Sequence, residues 1–159
     1  MKWFRAYFNH GLINYIYGQK RLLRVGAYAA QVAKSLGLPL IRVSTSVHQV
    51  SREGKLIWCP EIGKFLSYIK NAECMVTDSF HGTAFAINFN TTFVEVLPNN
   101  KTGTRNMSIL KLTGLSDRIL SNDKDIVLAK KRIDYSGVNQ IIEEKRKASL
   151  SVLKNMIEN

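Results

Sequence analysis

The segment Glu73 to Phe89, ECMVTDSFHGTAFAINF, constrains the fold of this chain more than any other. An apolar run, Cys74 to Thr77, stops at the polar turn Asp78-Ser79-Phe80-His81-Gly82. An apolar segment of helical period, Thr83 to Phe89, follows. A strand, a polar turn and a helix start in this order is how α/β proteins place ligands at the carboxyl edge of a sheet. The first backbone N–H groups of the helix have no intrahelical acceptor and favour an anion. Gly82 lets a ligand come close to the main chain. The segment therefore predicts an anion pocket with an imidazole, His81, at its lip.

The rest of the chain fits around this unit. Leu12 to Tyr17 reads as a strand, Arg21 to Leu36 as a helix stopped by Gly37, and Leu38 to Ser44 as a strand. Strand, helix and strand in succession imply parallel pairing and a right-handed crossover. Thr45 to Gly54 reads as a polar loop and Lys55 to Cys59 as a short extended piece. Pro60 to Lys70 restarts helical period, with Ile62, Phe65, Leu66 and Ile69 on one face. Thr92 to Leu97 (TFVEVL) reads as a strand, 98–106 as a polar loop holding Lys101 and Arg105, and Met107 to Leu112 as a short helix. Ile119 and Leu120 suggest a last short strand, and Asp123 to Ala129 a helical turn. An amphipathic terminal helix spans 138–157. Alternating strands and helices predict one α/β Rossmann-like three-layer sandwich over 1–159 with a mostly parallel sheet, residues 1–11 being an extension or remnant.

At 159 residues the chain is long enough for one real core, and its 45% hydrophobic and 22% charged content is ordinary for a soluble protein. No apolar run approaches the roughly 20 residues of a membrane helix. The opening segment is not read as a signal peptide, since Arg5, Asn9 and His10 break its apolar stretch. Cys59 and Cys74 are too few for a disulfide framework and read as reduced thiols. The expected location is cytoplasmic.

The net charge of +11 is concentrated in residues 1–60, where nine Lys or Arg face one acid, Glu53. No nucleic-acid motif accompanies that charge, so a nucleic-acid partner is not expected. A basic face toward an acidic substrate, or toward anionic lipid at the inner face of a membrane, accounts for it. Residues with metal-ligand spacing, a GxGxxG fingerprint and a Walker loop are all missing. No metal or resident cofactor is expected.

Within the turn each residue has two readings. His81 can act as an acid or as a cationic phosphate contact, since imidazole ordinarily titrates nearest neutrality, or it can simply bond the turn. Asp78 can be a base, but capping preference favours it as a cap for the helix amides. Ser79 and Thr83 can donate to a phosphate or make local turn bonds. Arg105 can grip a carboxylate or phosphate with its planar fork, or sit as a solvated loop charge.

Three stretches, FLSYIKNAECMVTDSFHGTAFAINFNTTFVEV, TRNMSILKLTGLSDRIL and DYSGVNQIIEEKRKASLSVLKNMI, resemble the polysaccharide pyruvyl transferase family. The resemblance runs from about Leu12 to the C-terminus, and TDSFHG is its most specific part. It implies the C-terminal one of two Rossmann-like domains arranged as in GT-B glycosyltransferases, with the active site between them. It also implies transfer of a pyruvyl group, as a cyclic ketal, from phosphoenolpyruvate to two hydroxyls of a sugar or lipid-linked saccharide. His81 would be catalytic, with Asp78, Ser79, Gly82, Thr83 and Arg105 around the donor. In several family members the turn reads Thr-Asp-Arg-Leu-His-Gly. Here Ser79 and Phe80 stand in the middle places, and Arg105 is the candidate to supply the guanidinium. An N-terminal partner domain is implied, because residues 1–11 supply none. Two alternatives stay open: a GT-B-like glycosyltransferase using a nucleotide sugar, and a non-catalytic binding domain.

Overall fold

A computed structural model describes residues 11–15, 22–44, 53–98 and 101–158. The elements in chain order are β1 (Gly11–Tyr15), α1 (Leu22–Leu36), β2 (Leu40–Ser44), β3 (Lys55–Trp58), α2 (Ile62–Lys70) and β4 (Ala72–Thr77). They continue with α3 (Phe80–Asn88), β5 (Phe93–Glu95), α4 (Lys101–Leu112), a 3₁₀ turn (Ser116–Arg118), α5 (Val127–Lys130) and α6 (Ser136–Glu158). The sheet runs β3-β2-β1-β4-β5 with every ladder parallel. Strand order therefore reverses beside β1, and β4 leads straight into the turn singled out above. In open parallel sheets a ligand crevice forms at such a reversal, outside the carboxyl ends of the strands.

Side-chain alternation along the strands divides the core in two. Leu40, Cys74, Val76, Val94 and Val96 face α1 and the segment around α5. Ile41, Val43, Met75 and Phe93 face the helices α2, α3 and α4 and the start of α6. α1 buries Val25, Tyr28, Ala29, Val32 and Ala33, one stripe of helical spacing. The three-layer sandwich expected from the sequence is present. Cys59 and Cys74 are both free thiols. Burial pushes the Cys74 thiol up to about 12, so it stays protonated and unreactive.

Three helices end with the same device. After α1, Leu38 N donates to Ala33 O and Gly37 N to Lys34 O, the paired bonds of a Schellman motif, with Gly37 at φ 65°. Asn90, at φ 56°, closes α3 the same way, and Gly114 closes α4. The chain thus turns sharply at each point and delivers Leu40, Phe93 and Leu115 into the core.

The remaining expectations need adjustment. α4 starts at Lys101, so 101–106 is helix where a loop was expected. Gly103 explains this: a Cβ there would meet the Pro98 carbonyl oxygen at 2.1 Å, so the first turn of α4 packs directly on the chain leaving β5. Close packing overrides the weak helix propensity of the KTGTRN run. Ile119 forms a single parallel bridge to Glu95, and no strand follows. Residues 16–17 of the first expected strand, 1–10 of the extension and 45–52 of the expected loop lie outside the described residues.

Arg118 ties the bottom of the sheet together. It is almost wholly buried; its Nε donates to Phe93 O at 2.9 Å and its Nη2 to Leu128 O at 2.7 Å. Arg118→Met keeps the bulk but leaves the buried Phe93 carbonyl and the half-buried Leu128 carbonyl without these donors. The expected loss is roughly 3 kcal/mol in urea unfolding. A loss below about 0.5 kcal/mol would show that neither bond matters.

Candidate functional site

At the carboxyl end of β4 the chain leaves the sheet through Asp78 and Ser79 and enters α3 at Phe80. Ser79 N donates to Thr77 Oγ1 at 3.1 Å, which fixes the exit. Ser79 is the N-cap of α3: its Oγ accepts from Gly82 N at 3.4 Å. The cap expected at Asp78 is therefore displaced by one residue. The physical reason is reach, since a capping side chain bonds the amide two or three positions on. Because α3 begins at Phe80, that position belongs to Ser79. Asp78 is buried, and its carbonyl accepts from Asn106 Nδ2 at 3.3 Å. The first intrahelical bond runs from Thr83 N to Ser79 O. The amides of Phe80 and His81 precede it, at the positive end of the helix dipole.

His81 is exposed in the first turn of α3. Its ring stands edge-on to Phe80, with centroids 5.8 Å apart. The Arg105 guanidinium lies over the same Phe80 ring, 4.4 Å from its centroid. Phe80 is thus a platform that brings an imidazole and a guanidinium to one patch at the switch point. Arg105 projects from α4, and the packing of Gly103 on Pro98 sets where that helix begins.

Ser79, Gly82 and Thr83 form the floor beneath this patch, all buried. Thr83 is inaccessible, and its hydroxyl lies 3.0 Å from Ser79 O and 2.5 Å from Glu95 Oε2. Glu95 Oε1 accepts from Asn106 Nδ2 at 2.5 Å. Glu95 and Asn106 are fully buried and were not singled out from the sequence. One signal was present for Glu95: it is the lone carboxylate in the apolar run TFVEVL. Burial raises the Glu95 carboxyl to about 7, the Thr83 and Asn106 bonds opposing and the Asp78 charge assisting. His10 and His48 lie outside the described residues, as does the Lys101 side chain. Among the described residues no group of three His, Cys, Asp or Glu could hold a metal ion, and no helix is long and apolar enough to cross a membrane.

The family model described as polysaccharide pyruvyl transferase matches residues 50–101. That stretch is about a third of the chain, and it contains β3, α2, β4, the turn, α3 and β5. It is shorter than the span expected from the sequence, Leu12 to the C-terminus. No curated protein matches the sequence. Solved structures share the fold, and two among them serve for comparison. An O-GlcNAc transferase variant from Thermobaculum terrenum has TM-score 0.56 and 14% identity, over 89% of this chain and 32% of that one. A UDP-GlcNAc 2-epimerase from Methanocaldococcus jannaschii, in complex with UDP-GlcNAc and UDP, has TM-score 0.58 and 16% identity, over 90% and 48%. At these identities the likeness is one of fold alone. The chain spans less than half the length of either structure.

Proposed function

We propose that this chain, whose residues 50–101 carry the polysaccharide pyruvyl transferase pattern, is the donor-handling half of such an enzyme. The reaction moves pyruvate from phosphoenolpyruvate to two hydroxyls of a saccharide. One observation carries the reading: His81 and Arg105 meet across Phe80 on an exposed patch at the topological switch point.

The chemistry fits those groups. A proton adds to the methylene carbon of the enol phosphate, and positive charge develops on the adjacent carbon. Two sugar oxygens bond to that carbon in turn, phosphate leaves, and of the two hydroxyl protons one balances the new methyl group and the other the phosphate. His81 is the acid for the first step, or the cationic partner of the departing phosphate. Arg105 holds the donor's carboxylate or phosphate by its fork. The amides of Phe80 and His81 add neutral donors beside them. Ser79 and Gly82 shape the floor, and Thr83 and Asp78 support it from below.

An N-terminal Rossmann-like partner domain would close the site from above and contribute to the saccharide side. The basic first third of the chain suits an anionic or lipid-linked acceptor at the inner face of a membrane. The test supplies the chain alone, and with such an N-terminal half, with phosphoenolpyruvate and candidate saccharides. Phosphate release that depends on the saccharide is expected from the combined sample. No release from either sample overturns the reading.

The shared architecture with a structure that holds UDP-GlcNAc favours one second reading, glycosyl transfer from a nucleotide sugar. Thermal-shift titration separates the two. Stabilisation by UDP-GlcNAc and not by phosphoenolpyruvate supports the second.

A further inference from the structure

We propose that Glu95 is a positioning residue for the His81–Arg105 patch, and that its proton decides where the Thr83 hydroxyl points. Glu95 ends β5, paired in register with Thr77 at the end of β4. Its carboxyl reaches both helices that carry the patch. Oε2 meets Thr83, two residues after His81 on α3, and Oε1 meets Asn106, next to Arg105 on α4. One buried group therefore bridges the first turn of α3 and the middle of α4, whose separation sets the distance between imidazole and guanidinium.

Counting protons gives the device. The Thr83 hydroxyl has one hydrogen and two acceptors within reach, Ser79 O and Glu95 Oε2. With Glu95 ionised, Thr83 must donate to the carboxylate, and the Ser79 carbonyl keeps only the Thr83 amide. With Glu95 protonated, the carboxyl donates to Thr83 and Thr83 donates on to Ser79. The neutral chain Glu95 to Thr83 to Ser79 satisfies every member, and it ends on the N-cap residue of the helix that presents His81. The ionised form pulls Thr83 toward β5 instead.

The surroundings contain little else that could drive this. Just past the end of β4 the charged group facing Glu95 is Asp78, which opposes ionisation. α3 and α4 present Thr83 and Asn106, neither of which titrates. Arg118 of the 3₁₀ turn reaches the other end of β5, at the Phe93 carbonyl, and Lys130 of α5 is exposed. The carboxyl lies near 7, above its ordinary range, because burial penalises its charge. The sign follows. The folded chain holds a proton that the unfolded chain releases at lower pH, so stability from this group is full below about pH 4.5 and is lost as pH rises through about 7.

The test needs neither substrate nor turnover, so its outcome is separable from that of the proposed reaction. Thermal midpoints are measured from pH 5 to pH 8 for the unaltered chain, Glu95→Gln and His81→Ala. Glutamine keeps a donor toward Thr83 and an acceptor for Asn106 but cannot titrate. The unaltered chain and His81→Ala should lose roughly 5–10 °C across the window, and Glu95→Gln should lose little. An equal slope in all three overturns the proposal. Whether or not Glu95→Gln folds, a ¹³C titration of the unaltered chain follows the same carboxyl, assigned through its own backbone. The carboxyl is expected to titrate near pH 7 together with the amide signals of Gly82 and Arg105. A carboxyl already ionised at pH 5, or amides that stay still, overturns it.

Discussion

Replacing His81 with alanine is expected to lower saccharide-dependent phosphate release by about 10²–10⁴-fold, the usual range for a positioned acid. The fold should not notice. The ring is exposed and stands edge-on to Phe80, and alanine is the best helix former for that turn. Steady-state phosphate release, read beside a circular-dichroism melt, separates chemistry from stability. An unchanged melt with a collapsed rate places the imidazole in the reaction. A full rate removes it, and the Arg105 guanidinium then becomes the main candidate on the patch.

Replacing Gly103 with alanine is expected to cost far more stability than the same change at Gly26, Gly63 or Gly137, where a new Cβ meets nothing within 4 Å. Its backbone is ordinary helix, so the requirement is space and not a special dihedral. The new Cβ would lie 2.1 Å from Pro98 O and 3.2 Å from Pro98 C. Both are backbone atoms, so no side-chain rotamer can relieve the overlap. Alanine returns about 1 kcal/mol of helix propensity. Overpacking against an unyielding wall costs about 3 kcal/mol or more, and the net loss should dominate in denaturant unfolding. A second effect is diagnostic. If α4 shifts to make room, Arg105 leaves Phe80 and binding of phosphoenolpyruvate weakens along with stability. A midpoint within about 0.5 kcal/mol of the original would mean that α4 does not touch Pro98 as described.

The legible parts of this fold were those written in local periodicity. Strand β4, the turn and α3 follow from a hydrophobic run meeting a polar break, and Gly37 and Gly114 mark their helix ends by chemistry. Asn90 uses the same left-handed ending with a side chain less diagnostic than glycine, and it passed unremarked. The start of α4 was illegible because Gly103, read alone, is a helix breaker. Only the carbonyl of Pro98 across the gap explains it. At the site, His81 and Arg105 could be named from residue type, but not the Phe80 platform that joins them. Glu95 broke the apolar pattern of its strand, yet its partners, 12 and 11 residues away in sequence, are set by tertiary packing. α6 covers 138–157 as a helix, and Leu150, Leu153, Met156 and Ile157 remain exposed beyond its packed start.

The strand order carries a consequence for how the two ends of this chain tolerate shortening. Among the described residues, Gly11–Tyr15 is the only ladder partner that β2 and β4 have in common. Removing those five residues would spare the whole patch and still sever the sheet into two ribbons of two strands, too narrow to stand in water alone. Ending the chain after Ile142 removes only helix that touches solvent. Trimming is thus cheap beyond Ile142 and ruinous once it reaches Gly11.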